Sequence, residues 1–297
     1  MLYSSLYNKR GLFDIVVGIL GQLMVVMFLI YSGYGIMESF CRKKEDYIKS
    51  FLRKRVLKTL VHFDIAVALF FLLAVILGHK YTTEEYLLSW IGWLNIGNSN
   101  WFIFDILALY LLAYLTLLVG LHYELNERTL TWINFGLTCG LMVVLLKSKS
   151  SEEWWYDTIL AFPTGMLWSI YRKRLEPALK DWRQYWLNFG VVTLLFVCTY
   201  YLGHHFKVAF FFVASALFGI WVILLTMKLK IGNRILHWLG KNAFSIYILQ
   251  RLSMIVATEY GINQQPLLFM LIVIPSSLLI AFGFTSFTRQ VDKKLFS

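Results

Sequence analysis

Nine runs of mostly apolar residues, joined by short polar connectors, set the limits on what this chain can become. They lie at roughly 12–34, 59–78, 101–121, 131–147, 157–171, 185–203, 207–227, 242–258 and 266–287. A helix that crosses a bilayer needs about 17–25 such residues. Backbone groups inside hydrocarbon meet no water, so each run must satisfy its own hydrogen bonds as a helix. The reading is an all-α, polytopic transmembrane bundle of about nine spans. The run 157–171 is short and carries Pro163, so it sits partly in the interface or is completed by its neighbours. Only 15% of the 297 residues are charged and 59% are hydrophobic, which leaves no room for a sizeable soluble domain. A single transmembrane domain over 1–297 follows.

The net charge of +11 does not point to nucleic acid. In a membrane protein Lys and Arg collect in cytoplasmic loops, and that bias alone makes the chain basic. One set of connectors (41–58, 122–130, 172–183, 228–241 and the tail) holds twenty-one of the Lys and Arg residues; the opposite set holds six, namely Lys9, Arg10, Lys80, Lys147, Lys149 and Lys207. The first set is therefore read as cytoplasmic, with the C-terminus on that side of a multi-pass plasma-membrane protein. Nine spans then leave the N-terminus outside, with Lys9 and Arg10, which a basic start without a signal does not readily reach. The expectation is a further span ahead of Met1; a genuine N-out start, or one segment that fails to cross, is the alternative.

Cys41, Cys139 and Cys198 are scattered, with no CxxC or Cys/His ligand spacing, so neither a disulfide nor a metal site is expected. The loop 79–100, with Glu84, Glu85, Trp90 and Trp93, is aromatic and suits the interface.

The most informative stretch runs from Phe28 to Leu60. An apolar segment ends in Ser32-Gly33-Tyr34-Gly35, and a basic connector follows with eight Lys/Arg between Arg42 and Lys58 against Glu45 and Asp46. The glycines read in two ways: as a small-residue break that makes room for an acyl group or polar ligand, or as a seam for close helix packing. Arg53, Arg55 and Lys58 enter the second segment, and α-helical spacing puts Arg55 and Lys58 on one face. They suit the phosphates of a donor such as a coenzyme A thioester, or serve as an anchor on anionic lipid.

Charged residues inside membrane segments are costly and carry function by default. His62 and Asp64 stand two apart and do not face each other on a helix. Asp105, in the run from Asn100 and Trp101, is the outer-side carboxylate candidate. Arg251, after Tyr247 and Gln250, needs an acid or a carbonyl cluster, and Asp64, Asp105 and Glu259 are all available to it. His204-His205 reads as an exposed loop pair rather than a metal site.

The stretch Phe28–Ile36, its Lys-rich connector with Tyr47, and the run Phe51–Leu60 resemble the start of the integral-membrane type 3 acyltransferases. Asn100-Trp101-Phe102 at the head of a span, and Trp238-Leu239-Gly240-Lys241-Asn242 leading into Ile246-Tyr247-Ile248, resemble later landmarks of that family. The resemblance implies a ten-span fold, here lacking its first span. It implies transfer of an acyl group, usually acetyl, from acetyl-CoA as donor substrate to a hydroxyl of a cell-envelope glycan or its lipid-linked precursor. The implied partners are the acyl-CoA donor, the glycan acceptor and membrane lipid, with no bound cofactor. Arg53, Arg55 and Lys58 would bind donor phosphates. Ser32, Gly33, Tyr34, Gly35, Asn100, Trp101, Tyr247, Gln250 and Arg251 would line the cavity. The family's first span carries a catalytic histidine that nothing here matches, and Gln250 stands where relatives often have histidine, so the catalytic base is unassigned. A transporter of lipid-linked sugars and a non-catalytic family member are the competing readings.

Overall fold

The computed structural model describes residues 12–206, 208–229 and 232–296, with the side chains of 12–20, 22, 204–206 and 208–209 left aside. Lys9, Arg10, Lys207 and the side chains of His204 and His205 therefore lie outside the described residues. Everything regular among the described residues is helical: α1 (Leu12–Phe51), a π-helical turn (Leu52–Leu57), α2 (Lys58–Leu77), α3 (Thr83–Leu88), α4 (Trp101–His122), α5 (Glu127–Ser148), α6 (Ala161–Ala178), α7 (Trp182–Phe206), α8 (Val208–Lys228), α9 (Arg234–Glu259) and α10 (Pro266–Leu295). Six of these stretches are long and apolar enough to cross a membrane: Leu23–Leu77, Trp101–His122, Glu127–Ser148, Trp182–Gly203, Phe210–Lys228 and Pro266–Leu295. The first spans two of the apolar runs. Two other runs, in α6 and α9, fall outside the six; α6 carries Arg172, Lys173, Arg174 and Glu176, and α9 carries Arg234, Lys241, Arg251 and Glu259. The chain is a multi-pass helical membrane protein.

The stretch from Phe28 to Leu60 departs from expectation. Its basic part is helical rather than a loop, because α1 continues through it. The part of α1 ahead of Lys44 is about 48 Å long at 1.5 Å per residue, against a hydrocarbon core of about 30 Å, so the charged end of α1 extends beyond the core. There it carries Arg42, Lys43, Lys44 and Lys49. The helix kinks at Lys44, whose φ of 45° is uncommon for a residue with a side chain. Two contacts hold it there: its ammonium pairs with Glu127 at 2.5 Å and lies 4.9 Å from the centre of the Phe40 ring. There is no break at Ser32–Gly35, where the helix is uninterrupted.

Contacts within the chain group into two units. The first holds residues 12–19, 53–107 and 232–296; the second holds 20–52 and 108–229. In the first unit α9 packs on α10 and α2 on α9. Met254, Ala257, Phe269 and Val273 form a buried apolar cluster at the α9–α10 turn. Pro266 opens α10, where a missing N–H leaves no hydrogen bond unmade. The stretch 79–100 is ordered by aromatic stacking: Phe71 of α2 lies flat on Tyr86 at 4.5 Å, and the Tyr81 hydroxyl donates to the Ile96 carbonyl at 2.8 Å. Thr82 and Glu85 form a reciprocal capping box that starts α3. The Thr82 backbone N–H and hydroxyl both bond the Glu85 carboxylate and hold it below its ordinary range.

In the second unit α7 packs on α8, α5 on α6, and α6 on α8. The Trp221 indole donates to Thr193 at 3.0 Å and the buried Tyr185 hydroxyl to the Leu224 carbonyl at 2.9 Å, so aromatic polar tips find partners as apolar surroundings require. Pro163 sits in the first turn of α6, where it removes no intrahelical bond, and that turn is buried.

Candidate functional site

In the second unit, the SGYG landmark lies on α1 where it meets α6. A Cβ on Gly33 would clash with the Phe162 carbonyl oxygen, so this glycine is used for close packing. A Cβ on Gly35 would meet nothing within 4 Å. Ser32 accepts from the Tyr110 hydroxyl at 3.5 Å. One turn beyond the glycines, a polar cluster joins the two helices. Arg172 of α6 donates to the Tyr34 hydroxyl, lies 5.3 Å from the centre of the Tyr34 ring and pairs with Glu38 at 3.3 Å. Ser169 donates to the same Glu38 oxygen at 2.9 Å. Tyr34 and Glu38 share a face at i, i+4, as Ser169 and Arg172 do at i, i+3, so each helix presents one polar edge. Glu38, Ser169 and Arg172 were not among the residues singled out from sequence. The i, i+4 match of Tyr34 and Glu38 was the available signal.

The first unit holds the remaining expected residues. Arg53 and Lys54 are exposed on the π turn and Arg55 is half-buried. A π turn holds more residues than an α turn, so the α-helical register that put Arg55 and Lys58 on one face does not hold across 52–57. Lys58 bonds Asp292 of α10 at 2.6 Å, and His62 bonds the other oxygen of that carboxylate at 2.9 Å. Asp292 therefore ties the start of α2 to the end of α10 through two side chains one turn apart. His62 and Asp64 do not form a pair, in keeping with their spacing; the partner of His62 comes from the far end of the sequence.

Around the head of α4, Asn100 is buried and its amide donates to the Gly92 carbonyl at 2.8 Å. Gly92, at φ 77°, lies so close to the Asn100 carbonyl and Phe104 that a side chain would be both strained and crowded. Trp101 is buried against Phe102, and Phe102 meets the Tyr247 ring edge-on at 5.2 Å. Asp105 is fully buried, and both it and Arg251 lie within electrostatic range of the buried Tyr247 hydroxyl. Of the acids open to Arg251, Asp105 is the one that shares a neighbour with it. Gln250 bonds the Tyr247 carbonyl at 3.5 Å within its own helix, and its own carbonyl accepts from Ser277 of α10 at 3.4 Å. Asn100, Trp101, Tyr247, Gln250 and Arg251 thus fall in one unit with Arg53, Arg55 and Lys58, whereas Ser32 to Gly35 fall in the other. Among the described residues no three of His, Cys, Asp or Glu stand together as a metal site.

Long apolar helices with buried Asp and Tyr side chains, a partly buried Arg251 and a cationic turn at a helix entrance define a polytopic membrane protein with polar interior clusters. A family model described as an acyltransferase domain matches residues 2–286. The chain belongs to this family, the type 3 acyltransferases. No curated protein and no solved structure matches it.

Proposed function

We propose that the protein transfers an acetyl group from acetyl-CoA to a hydroxyl of a cell-surface polysaccharide or its lipid-linked precursor. The observation that carries this reading is the acyltransferase match along residues 2–286. The sugar oxygen attacks the thioester carbonyl, the carbon–sulfur bond breaks, and coenzyme A leaves as the thiol. A general base must take the hydroxyl proton as the new ester forms. That base remains to be assigned.

The donor arrives from the cytoplasm at the π turn. π turns recur at functional sites, and the two arginines of this one offer planar forks for phosphate. Arg53 and Arg55 hold the donor phosphates. Lys58 adds charge from its position against Asp292. Ser32, Tyr34 and Gly35 border the acyl passage, with Gly33 holding α1 to α6 beside them. Asn100, Trp101, Tyr247, Gln250 and Arg251 would line the central cavity, as the family resemblance implies. A plasma-membrane protein with its C-terminus in the cytoplasm is the arrangement that the distribution of Lys and Arg supports.

The test is release of coenzyme A thiol from acetyl-CoA by membranes that carry the protein, with and without acceptor glycan. Acceptor-dependent release, with a raised KM for acetyl-CoA in Arg53→Gln and Arg55→Gln, supports the reading. Release that ignores the acceptor, or equal KM values in all variants, counts against it.

A further inference from the structure

A cavity of about 640 Å³ opens in the second unit, walled by the second half of α1, the N-terminus of α5 and the second half of α6. This is within the range of small-molecule sites, about 300–1,000 Å³. Five charged side chains line it: Glu38, Arg42, Glu127, Arg128 and Lys173. The two acids are already held by cations that are not themselves in the lining. Glu38 is bonded by Arg172 and Ser169, and Glu127 by Lys44. Among the described residues, Arg42, Arg128 and Lys173 form no ion pair. Arg42 bonds the Glu38 carbonyl through Nε alone, at 3.3 Å, which leaves the rest of its fork open. Arg128 lies 5.4 Å from the centre of the Tyr171 ring, a contact that leaves its N–H edge available.

We propose that this cavity binds a phosphate-bearing ligand. Three cations without a carboxylate partner exceed what a single carboxylate needs, and they suit a phosphate monoester, which carries about −1.5 to −2 charges near neutral pH. Two of the three are arginines, whose fork matches phosphate oxygens in pairs. These three are exposed cations around a concavity whose two acids are each paired with another cation. The same phosphate monoester is offered by a soluble nucleotide and by the headgroup of phosphatidic acid. Arg53 and Arg55 are not among its lining residues, and the inference does not depend on acyl transfer.

Cys41 lines the cavity and its thiol is exposed, so its alkylation reports occupancy. The experiment uses the full chain with Cys139→Ser and Cys198→Ser, and N-ethylmaleimide as reagent. One arm adds adenosine 3′,5′-bisphosphate to protein in detergent. The other compares nanodiscs of phosphatidylcholine alone with nanodiscs that also contain phosphatidic acid. Protection of Cys41 is expected to saturate, with the rate falling about tenfold at a ligand concentration ten times its Kd. Protection by the bisphosphate alone assigns a soluble ligand, and protection by phosphatidic acid alone a lipid headgroup. In either case Lys173→Gln with Arg128→Gln must abolish the protection, and Lys173→Arg must keep it. No protection in either arm, or protection that survives removal of both charges, overturns the proposal.

Discussion

Gly33 on α1 and Gly165 on α6 each lie against the backbone of the other's helix. A Cβ on Gly33 would collide with the Phe162 carbonyl oxygen, and one on Gly165 with the Ile30 carbonyl oxygen. Backbone cannot move aside as a side-chain tip can, so an alanine at either place pushes the helices apart. Overpacking of this kind costs about 1–3 kcal/mol. Thermal unfolding of the solubilised protein is expected to show a marked loss for Gly33→Ala and for Gly165→Ala. The double variant should lose less than the two together, since both act on one crossing. Gly35→Ala, which meets nothing within 4 Å, should lose no stability.

Asp292 accepts from Lys58 and His62 at once, so its removal leaves two donors without their acceptor. Asp292→Ala is expected to cost about 1–3 kcal/mol in thermal unfolding. Lys58→Gln should cost less, because the Lys58 side chain is 40% exposed and its pair is weakened by solvent. In a double-mutant cycle, His62 and Asp292 should show a coupling of about 0.5–3 kcal/mol; additive losses would mean that the pair holds nothing.

Arg172 makes a cation–π contact and a hydrogen bond with Tyr34 and an ion pair with Glu38, a pattern that suits a planar guanidinium and not an ammonium. Arg172→Lys is therefore expected to lose much of the stability that Arg172→Ala loses. Thermal unfolding of the two variants side by side checks this. A lysine variant as stable as the native protein would mean that charge alone matters there.

The Glu85 carboxyl is held below its ordinary range by Thr82. A depressed folded-state pKa gives stability that is present above the unfolded value and lost as pH falls through the folded one. Amide hydrogen exchange in α3, corrected for its intrinsic pH dependence, should thus become faster relative to the chain on acidification through the carboxylate range. Thr82→Val should remove that pH dependence along with the cap.

The apolar runs were legible because hydrocarbon imposes length and helicity directly on sequence. Connector structure was less so. Arg42–Lys49 looks like a loop by charge, yet a helix that leaves the membrane can carry charge on every face, and periodicity does not separate the two. Gly33 and Gly35 are equivalent in sequence; only the approach of α6 makes the first indispensable to packing and leaves the second open. The pairs His62–Asp292 and Glu38–Arg172 join residues that no spacing rule connects. The single arginine in the apolar run 242–258 stood out because burying it is costly, and Tyr247, which Asp105 also approaches, does lie near it.

The central claim is acetyl transfer to a glycan hydroxyl, and its most direct measurement follows the label itself. Membranes from cells that express the gene at its own locus, and from a strain deleted for it, are incubated with acetyl-CoA labelled in the acetyl carbon. The glycan is then isolated and treated with mild alkali. The account predicts alkali-labile label in the glycan from the first membranes and none from the second. Equal label in both, or label that resists alkali, would contradict it.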